Sequence, residues 1–379
     1  MFDPPRWLEE LTKDSRPLEK AIHGDRLDVT DVEGLLNAPF HPLAAAADYY
    51  ARSVKGNRGS FIRNIYVTYT NVCVTNCTFC AFYARPGSEK GYLIEPKKMA
   101  ALVGKAWRDL GIAEIHMVGG NNPSIGLDYY EELIKSIKEA APRASLKAFT
   151  AEEIWFIAKT TGNSVREVLQ RFKELGLDAM PGGGTEILDE EIQRRIAPLK
   201  ASPEEYLSVQ EEAHRLGIKT NSIMMYGHIE EPIHIARHIT RLTELQRRAP
   251  GLVSFIPVRF NPGSTPLGKL SAGKARLDGQ YDLRIIAASR LALLGLVDNI
   301  VAYWVSMGDK LAQAALSHGA NDLGGTFYNE AVISAASGRE SAGKRADELA
   351  YMLKTAGWEP YERDTTYEKY YRAGDQVAH

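Results

Sequence analysis

Over residues 1–60 the apolar positions are sparse and fall at helical spacing. Leu8, Leu11, Leu18 and Ile22 make a loose apolar face, and further helices are predicted near 31–36 and over 44–54. After Gly59 the pattern changes. Short runs rich in β-branched and aromatic residues alternate with amphipathic segments, the pattern of βα units. Eight such runs occur: 62–69, 114–118, 146–150, 179–181, 219–226, 254–260, 301–305 and 322–327. Between them, Val165, Val168, Leu169, Phe172 and Leu175 keep the 3.6-residue period, and Leu133, Ile134 and Ile137 mark another stripe. Ser164 with Glu167, and Ser202 with Glu205, read as capping boxes that open helices. The apolar stripes are read as core.

Eight βα units predict an α/β fold, a closed (β/α)8 TIM-type barrel over 61–330. A helical extension is expected over 1–60, and a C-terminal helical extension and tail over 331–379, packed on the barrel. Such barrels carry their chemistry at the C-terminal ends of the strands. The unusual residues of this chain lie there: Gly119-Gly-Asn-Asn-Pro123, Thr150-Ala-Glu-Glu153, Pro181-Gly-Gly-Gly-Thr-Glu186, Tyr226-Gly-His-Ile-Glu230 and Arg259-Phe-Asn-Pro262.

Composition narrows the function classes. Charged residues are 25% of the 379 and the net charge is -2, so no basic face points to nucleic acid. The first residues lack a signal-peptide apolar stretch, and no run approaches the ~20 apolar residues of a membrane helix. A soluble, cytoplasmic protein is expected.

The three cysteines fall within eight residues, as Cys73-Val-Thr-Asn-Cys77-Thr-Phe-Cys80. Buried cysteines of a core have no reason to cluster in this way. Zinc wants a fourth ligand at short spacing, and no histidine lies between Cys80 and His116. A disulfide leaves an odd thiol. Three thiolates on one loop can instead hold three irons of a cubic 4Fe–4S cluster, leaving the fourth iron open. The spacing C-x3-C-x2-C resembles that of radical S-adenosylmethionine (SAM) enzymes. The resemblance implies that the open iron chelates SAM, and that Phe79 lies near the adenine.

Other strand ends offer partners for such chemistry. Gly119 and Gly120 lack Cβ atoms, which admits close approach of a ligand to the backbone. Radical SAM enzymes often place an acid after these glycines, where this chain has Asn121. Gly182 and Gly183 read as a loop under a cofactor, with Glu186 accepting ribose hydroxyls. Period two puts Glu114 and His116 on one face, so His116 is expected inside the barrel, titrating near neutrality as an acid or base. His228 is the second such histidine. Arg259, in an apolar stretch, suits a carboxylate.

In combination, His116-Met-Val-Gly-Gly120, Lys147-Ala-Phe-Thr-Ala-Glu-Glu-Ile154, Pro181-Gly-Gly-Gly-Thr-Glu-Ile187, Met225-Tyr-Gly-His-Ile-Glu230 and Phe255-Ile-Pro-Val-Arg-Phe-Asn-Pro262 resemble the aminofutalosine synthase family of the futalosine route to menaquinone. Val301-Ala-Tyr-Trp304, Gly319-Ala-Asn-Asp-Leu323 and Arg363-Asp-Thr365 extend the match. The family often has His before the proline of the second strand-end loop, where this chain has Asn122.

The resemblance implies that SAM is consumed as a co-substrate. Its adenosyl radical adds to 3-[(1-carboxyvinyl)oxy]benzoate, and aryl migration and loss of bicarbonate give 6-amino-6-deoxyfutalosine. It further implies an electron donor such as flavodoxin or ferredoxin. The roles expected are Cys73, Cys77 and Cys80 on the cluster, and His116 and His228 in catalysis. Phe79, Gly119, Gly120, Gly182, Gly183, Glu186 and Tyr226 are expected at the cofactor, and Asn71, Thr150 and Arg259 at the substrate. Dehypoxanthine futalosine cyclase and the deazaflavin-forming subunit of FO synthase use the same cluster. They commonly carry Gln where this chain has Val118. A non-catalytic metal-binding scaffold is the alternative of another class, and SAM cleavage separates it.

Overall fold

The computed structural model describes residues 3–263, 265–273, 275–332, 335 and 343–374. Four helices open the chain: Arg6–Thr12, Arg16–Ile22, Val29–Asn37 and Phe40–Lys55. The third starts where Asp28 and Asp31 cap each other, and the fourth stops at Gly56, whose φ of 56° suits a residue without Cβ. Val29–Asn37 packs against helix Pro232–Arg248, and Phe40–Lys55 against helix Gly279–Ala292.

The strands are β1 (Arg58–Ile62), β2 (Asn64–Thr68), β3 (Glu114–Val118), β4 (Ser145–Ala148), β5 (Ala179–Met180), β6 (Lys219–Tyr226), β7 (Leu252–Arg259), β8 (Asp322–Gly325), β9 (Glu359–Arg363) and β10 (Tyr370–Arg372). β2 to β7 form one parallel six-stranded sheet in chain order. Isolated parallel bridges complete the ring, Phe255 to Ile300, Val301 to Asp322 and Ile65 to Tyr328. The expected barrel is therefore present, with helices between the strands.

Two strand expectations change. The first run splits at Arg63, because β1 leaves the ring to pair with β8 and β9 while β2 pairs with β3. The run 301–305 contributes one bridge at Val301 and then turns into helix Trp304–Met307. Trp304 Nε1 donates to Gly325 O at 3.0 Å, which ties this turn to β8 and ends the strand. The C-terminal region is also not purely helical. It holds helix Ala346–Thr355, then β9 running parallel to β1 and β10 antiparallel to β9. Of that extension, 333–334, 336–342 and 375–379 lie outside the described residues.

The floor of the barrel, at the N-terminal ends of the strands, is polar and sealed. Glu114 Oε2 lies 2.8 Å from Lys147 Nζ, and Asn64 Nδ2 donates to Glu114 Oε1 at 3.0 Å. Arg363, arriving on β9, donates to Asp322 at 2.7 Å. Burial alone would raise the Glu114 carboxyl, but Lys147 above all, with Arg363, holds it down at about 2. Among the described residues no helix is long and apolar enough to cross a membrane.

Candidate active site

The cysteine loop leaves β2 and is pinned on every side. Cys73 N donates to Ala84 O at 2.9 Å, Val74 N to Asn121 O at 3.1 Å, and Thr78 N to Ile196 O at 2.9 Å. Leu267 N donates to Thr78 O at 2.9 Å. Asn76 turns the loop with φ 50°. Cys77 packs in a small apolar cluster with Ile187, Ile192, Ile196, Met225 and Phe260. All three cysteines are free thiols and line one cavity of about 290 Å³ at the mouth of the barrel.

Among the described residues, no three His, Cys, Asp or Glu side chains gather closely enough to hold a single ion. Three thiolates on one loop, all facing one cavity, are the donor set a cubic cluster takes, one cysteine to each of three irons. Burial pushes the Cys77 thiol up to about 12 and raises Cys80, so each ionises only against strong local positive charge. Iron supplies such charge, and Asn121 N already points at Cys73 Sγ from 3.4 Å. The residues fit the cluster.

Gly119 and Gly120 lie on the cavity wall, but their missing Cβ atoms serve the protein. A Cβ on Gly119 would sit 2.3 Å from the Tyr69 ring, and one on Gly120 2.3 Å from Val72 O. The close approach is thus to β2 and the cysteine loop, not first to a ligand. A Cβ on Gly182 would likewise meet the Ser222 backbone at 2.7 Å, and one on Gly183 the Thr150 methyl at 3.1 Å. Asn121, in place of the acid, donates to Glu152 Oε1 at 2.7 Å. A carboxylate therefore does reach this loop, from the next strand end. Its neighbour Glu153 accepts from Tyr69 OH at 2.8 Å, Gly119 N at 2.9 Å and Thr150 N at 2.8 Å. Burial raises Glu153 to about 7.

Glu186 lines the cavity with φ 65°, a left-handed backbone that is uncommon outside glycine. Its Oε1 lies 2.8 Å from Lys200 Nζ, and that ammonium stands 5.3 Å above the Phe79 ring. Burial works against the Lys200 charge, but Glu186, Cys77 and Glu152 raise its pKa overall.

The opposite wall is aromatic and aliphatic. His116 stacks on Tyr66 with centroids 4.8 Å apart, and Phe327 meets both His116 and Tyr303 edge-on. Phe327 adopts φ 46°, a strained state for a bulky residue. Ile256, Val258 and Arg259 continue this wall along β7. His116 does not titrate near neutrality as expected. Burial, and then Lys147, lowers it to about 3, so the imidazole is neutral. Arg259 forms a salt bridge with Asp282 from 3.2 Å and keeps 28% of its side chain exposed.

Of the expected site residues, two lie outside the cavity lining and two line it with polar groups already engaged. Tyr226 is fully buried outside the cavity lining and donates to Asp282 Oδ1 at 2.8 Å. His228 is also outside the lining; its ring sits 3.2 Å from Glu230 and 3.2 Å from Met225 O, and burial lowers its pKa. Asn71 lines the cavity, but its amide bridges Lys90 O and Tyr92 N, both at 2.9 Å. Thr150 lines it too, with its hydroxyl capping the next helix. Sequence reading gave no site role to Lys200, Asp282, Tyr66, Tyr303 and Phe327, and none to Glu152 and Glu153 although it singled out their strand-end loop. The Thr150-x-x-Glu153 capping box could have flagged Glu153. Lys200 and Asp282 carry no local signal.

Known proteins resemble this chain in sequence and in fold. Residues 67–242 match the radical SAM superfamily, and 249–376 match the CofH/MqnC C-terminal region. The aminodeoxyfutalosine synthase of Thermus thermophilus is 37% identical over 95% of this chain and 96% of its own length. A 5-amino-6-(D-ribitylamino)uracil–L-tyrosine 4-hydroxyphenyl transferase of Methanosarcina mazei is 38% identical over 87% of this chain and 85% of its own. Among solved structures, methylornithine synthase superposes with TM-score 0.71 at 18% identity, covering 90% of this chain and 96% of that one. The FeFe-hydrogenase maturase of Carboxydothermus hydrogenoformans gives 0.70 at 18%, covering 95% and 81%. At these identities the structural likeness speaks for the fold alone.

Proposed function

This chain belongs to the radical SAM superfamily, with a 4Fe–4S cluster and SAM as its cofactors, and on that premise we propose that it is an aminodeoxyfutalosine synthase. When bound, the cluster and SAM supply a 5′-deoxyadenosyl radical for addition to the enol ether of 3-[(1-carboxyvinyl)oxy]benzoate. Cys73, Cys77 and Cys80 would ligate the cluster. Glu152, which accepts from Asn121 on the glycine loop and from Ala201 N, would be the carboxylate nearest that loop to meet the ammonium of methionine. Glu186, held by Lys200, would accept ribose hydroxyls, and Phe79 would face the adenine.

The observation that carries the reading is the substrate wall. Tyr66, His116, Ile256, Val258, Tyr303 and Phe327 offer flat apolar faces, Arg259 offers a cation, and no carboxylate occurs among the described lining residues of this wall. An aromatic anion fits such a surface, because its ring excludes water and its carboxylate finds a guanidinium. Neutral His116 can accept a hydrogen bond from substrate or pass a proton only as a weak base. The walls also shield a radical from water.

The second reading is 4-hydroxyphenyl transfer from L-tyrosine to 5-amino-6-(D-ribitylamino)uracil, favoured by relatives of equal identity. Anaerobic incubation with a low-potential donor such as flavodoxin or ferredoxin, SAM labelled in the adenosine carbons, and each substrate in turn decides between them. The synthase reading expects labelled adenosine carbon in the product and one methionine per turnover. Release of 5′-deoxyadenosine with product formed only from L-tyrosine would replace it with the transferase.

A further inference from the structure

Arg259 ends β7 and Tyr226 ends β6, and the register sets them side by side. Asp282, from helix Gly279–Ala292, has no exposed surface and reaches both. The Tyr226 hydroxyl donates to Oδ1 at 2.8 Å, and Oδ2 faces Arg259 Nε from 3.2 Å without a well-directed hydrogen bond. Arg259 Nη2 donates to the Leu277 carbonyl. A guanidinium is a rigid plane with five donors, so contacts at Nε and Nη2 define the direction of the remaining Nη1 edge. The side chain lines the cavity and keeps 28% of its surface exposed.

We infer that Asp282 is a positioning residue: it sets the plane of Arg259 so that the Nη1 edge meets a carboxylate in the cavity, and Tyr226 in turn holds Asp282. A fully buried carboxylate beside a half-open arginine is otherwise a costly arrangement. It also makes the Arg259 site nearly neutral in sum, so a carboxylate is selected by directed hydrogen bonds rather than by diffuse charge. The inference rests on the proposed function only for the identity of that carboxylate.

A double-mutant cycle tests it on the full chain, anaerobically reconstituted, with SAM present and no reductant. Calorimetry gives the Kd of 3-[(1-carboxyvinyl)oxy]benzoate for wild type, Asp282→Asn, Tyr226→Phe, Arg259→Gln and the double variant Asp282→Asn/Arg259→Gln. Asp282→Asn is expected to weaken binding about tenfold or more, and Tyr226→Phe about two- to tenfold. In the Arg259→Gln background Asp282→Asn should add nothing, because Asp282 acts through the arginine. Equal, additive losses in both backgrounds would reduce Asp282 to a structural residue, as would an unchanged Kd in the two single variants. Should Asp282→Asn fail to fold, Tyr226→Phe in the two backgrounds decides alone. Wild type that ignores this ligand overturns the synthase reading instead, and the same cycle is then run with L-tyrosine, which also carries a carboxylate.

Discussion

Two arginine–aspartate pairs sit at opposite ends of the barrel. At the floor, Arg363 meets Asp322 through Nε at 2.7 Å and Nη2 at 3.2 Å, and gives two of its three other hydrogens to the carbonyls of Asp364 and Gly324. The Tyr367 ring covers the guanidinium at 3.8 Å, and only 3% of the side chain is exposed. At the mouth, Arg259 meets Asp282 from 3.2 Å and remains 28% exposed. Each pair uses a fully buried aspartate. What differs is how many donors are left over. The floor pair is closed on itself and joins the C-terminal strand to the barrel; the mouth pair is closed on one side only. A buried ion pair therefore signals stability or binding according to its unsatisfied edge, not its chemistry.

The sharpest division between mouth and floor comes from the cysteine loop. Cys77→Ala should abolish SAM cleavage altogether, read as methionine release after anaerobic reconstitution, while the urea midpoint stays near wild type. A Cys77→Ala protein that still cleaved SAM would refute the cluster assignment. Next in size is the floor. Arg363→Gln leaves Asp322 buried without its partner and should cost about 3–5 kcal/mol in urea unfolding. Bound SAM should be retained by the molecules that remain folded.

Arg259→Gln should show the opposite balance. Substrate affinity is expected to fall about 10–150-fold, from the loss of a charge-assisted pair, with a smaller drop in urea midpoint than Arg363→Gln. Equal stability losses in the two variants would erase the distinction between the ends. The smallest effect is a pH dependence. His116 has a folded pKa of about 3 against an ordinary 6.5, because burial disfavours its charge. As pH falls below about 6.5 the unfolded chain takes up the proton and the folded one does not, so stability drops toward pH 3. His116→Phe keeps a ring stacked on Tyr66 and removes this term. Its urea midpoint should decline less steeply between pH 6.5 and 4 than that of wild type.

Much of the architecture was legible from local pattern. Strand runs, capping boxes and the C-x3-C-x2-C loop are set by residues close together in the chain, and short-range periodicity reports them directly. The same locality explains why strand-end residues such as Gly119, Glu186 and Arg259 could be placed at the mouth. Boundaries failed where a distant segment intervened. The 62–69 run breaks because β9, three hundred residues away, competes for β1, and 301–305 turns because Trp304 finds Gly325.

The chain by itself thus determined the barrel and the clustering of three cysteines on the loop after its first ring strand. Tertiary structure alone decided what each polar group faces. It put Tyr69 under Gly119, Glu152 on Asn121, Lys200 on Glu186, and Asp282 between Tyr226 and Arg259. It also made His116 neutral and withdrew His228 from the cavity. The physical reason is common to all of these. Periodicity tells which face of an element is buried, but a pKa, a hydrogen bond or a Cβ clash depends on the partner that burial supplies, and those partners come from other strands and helices.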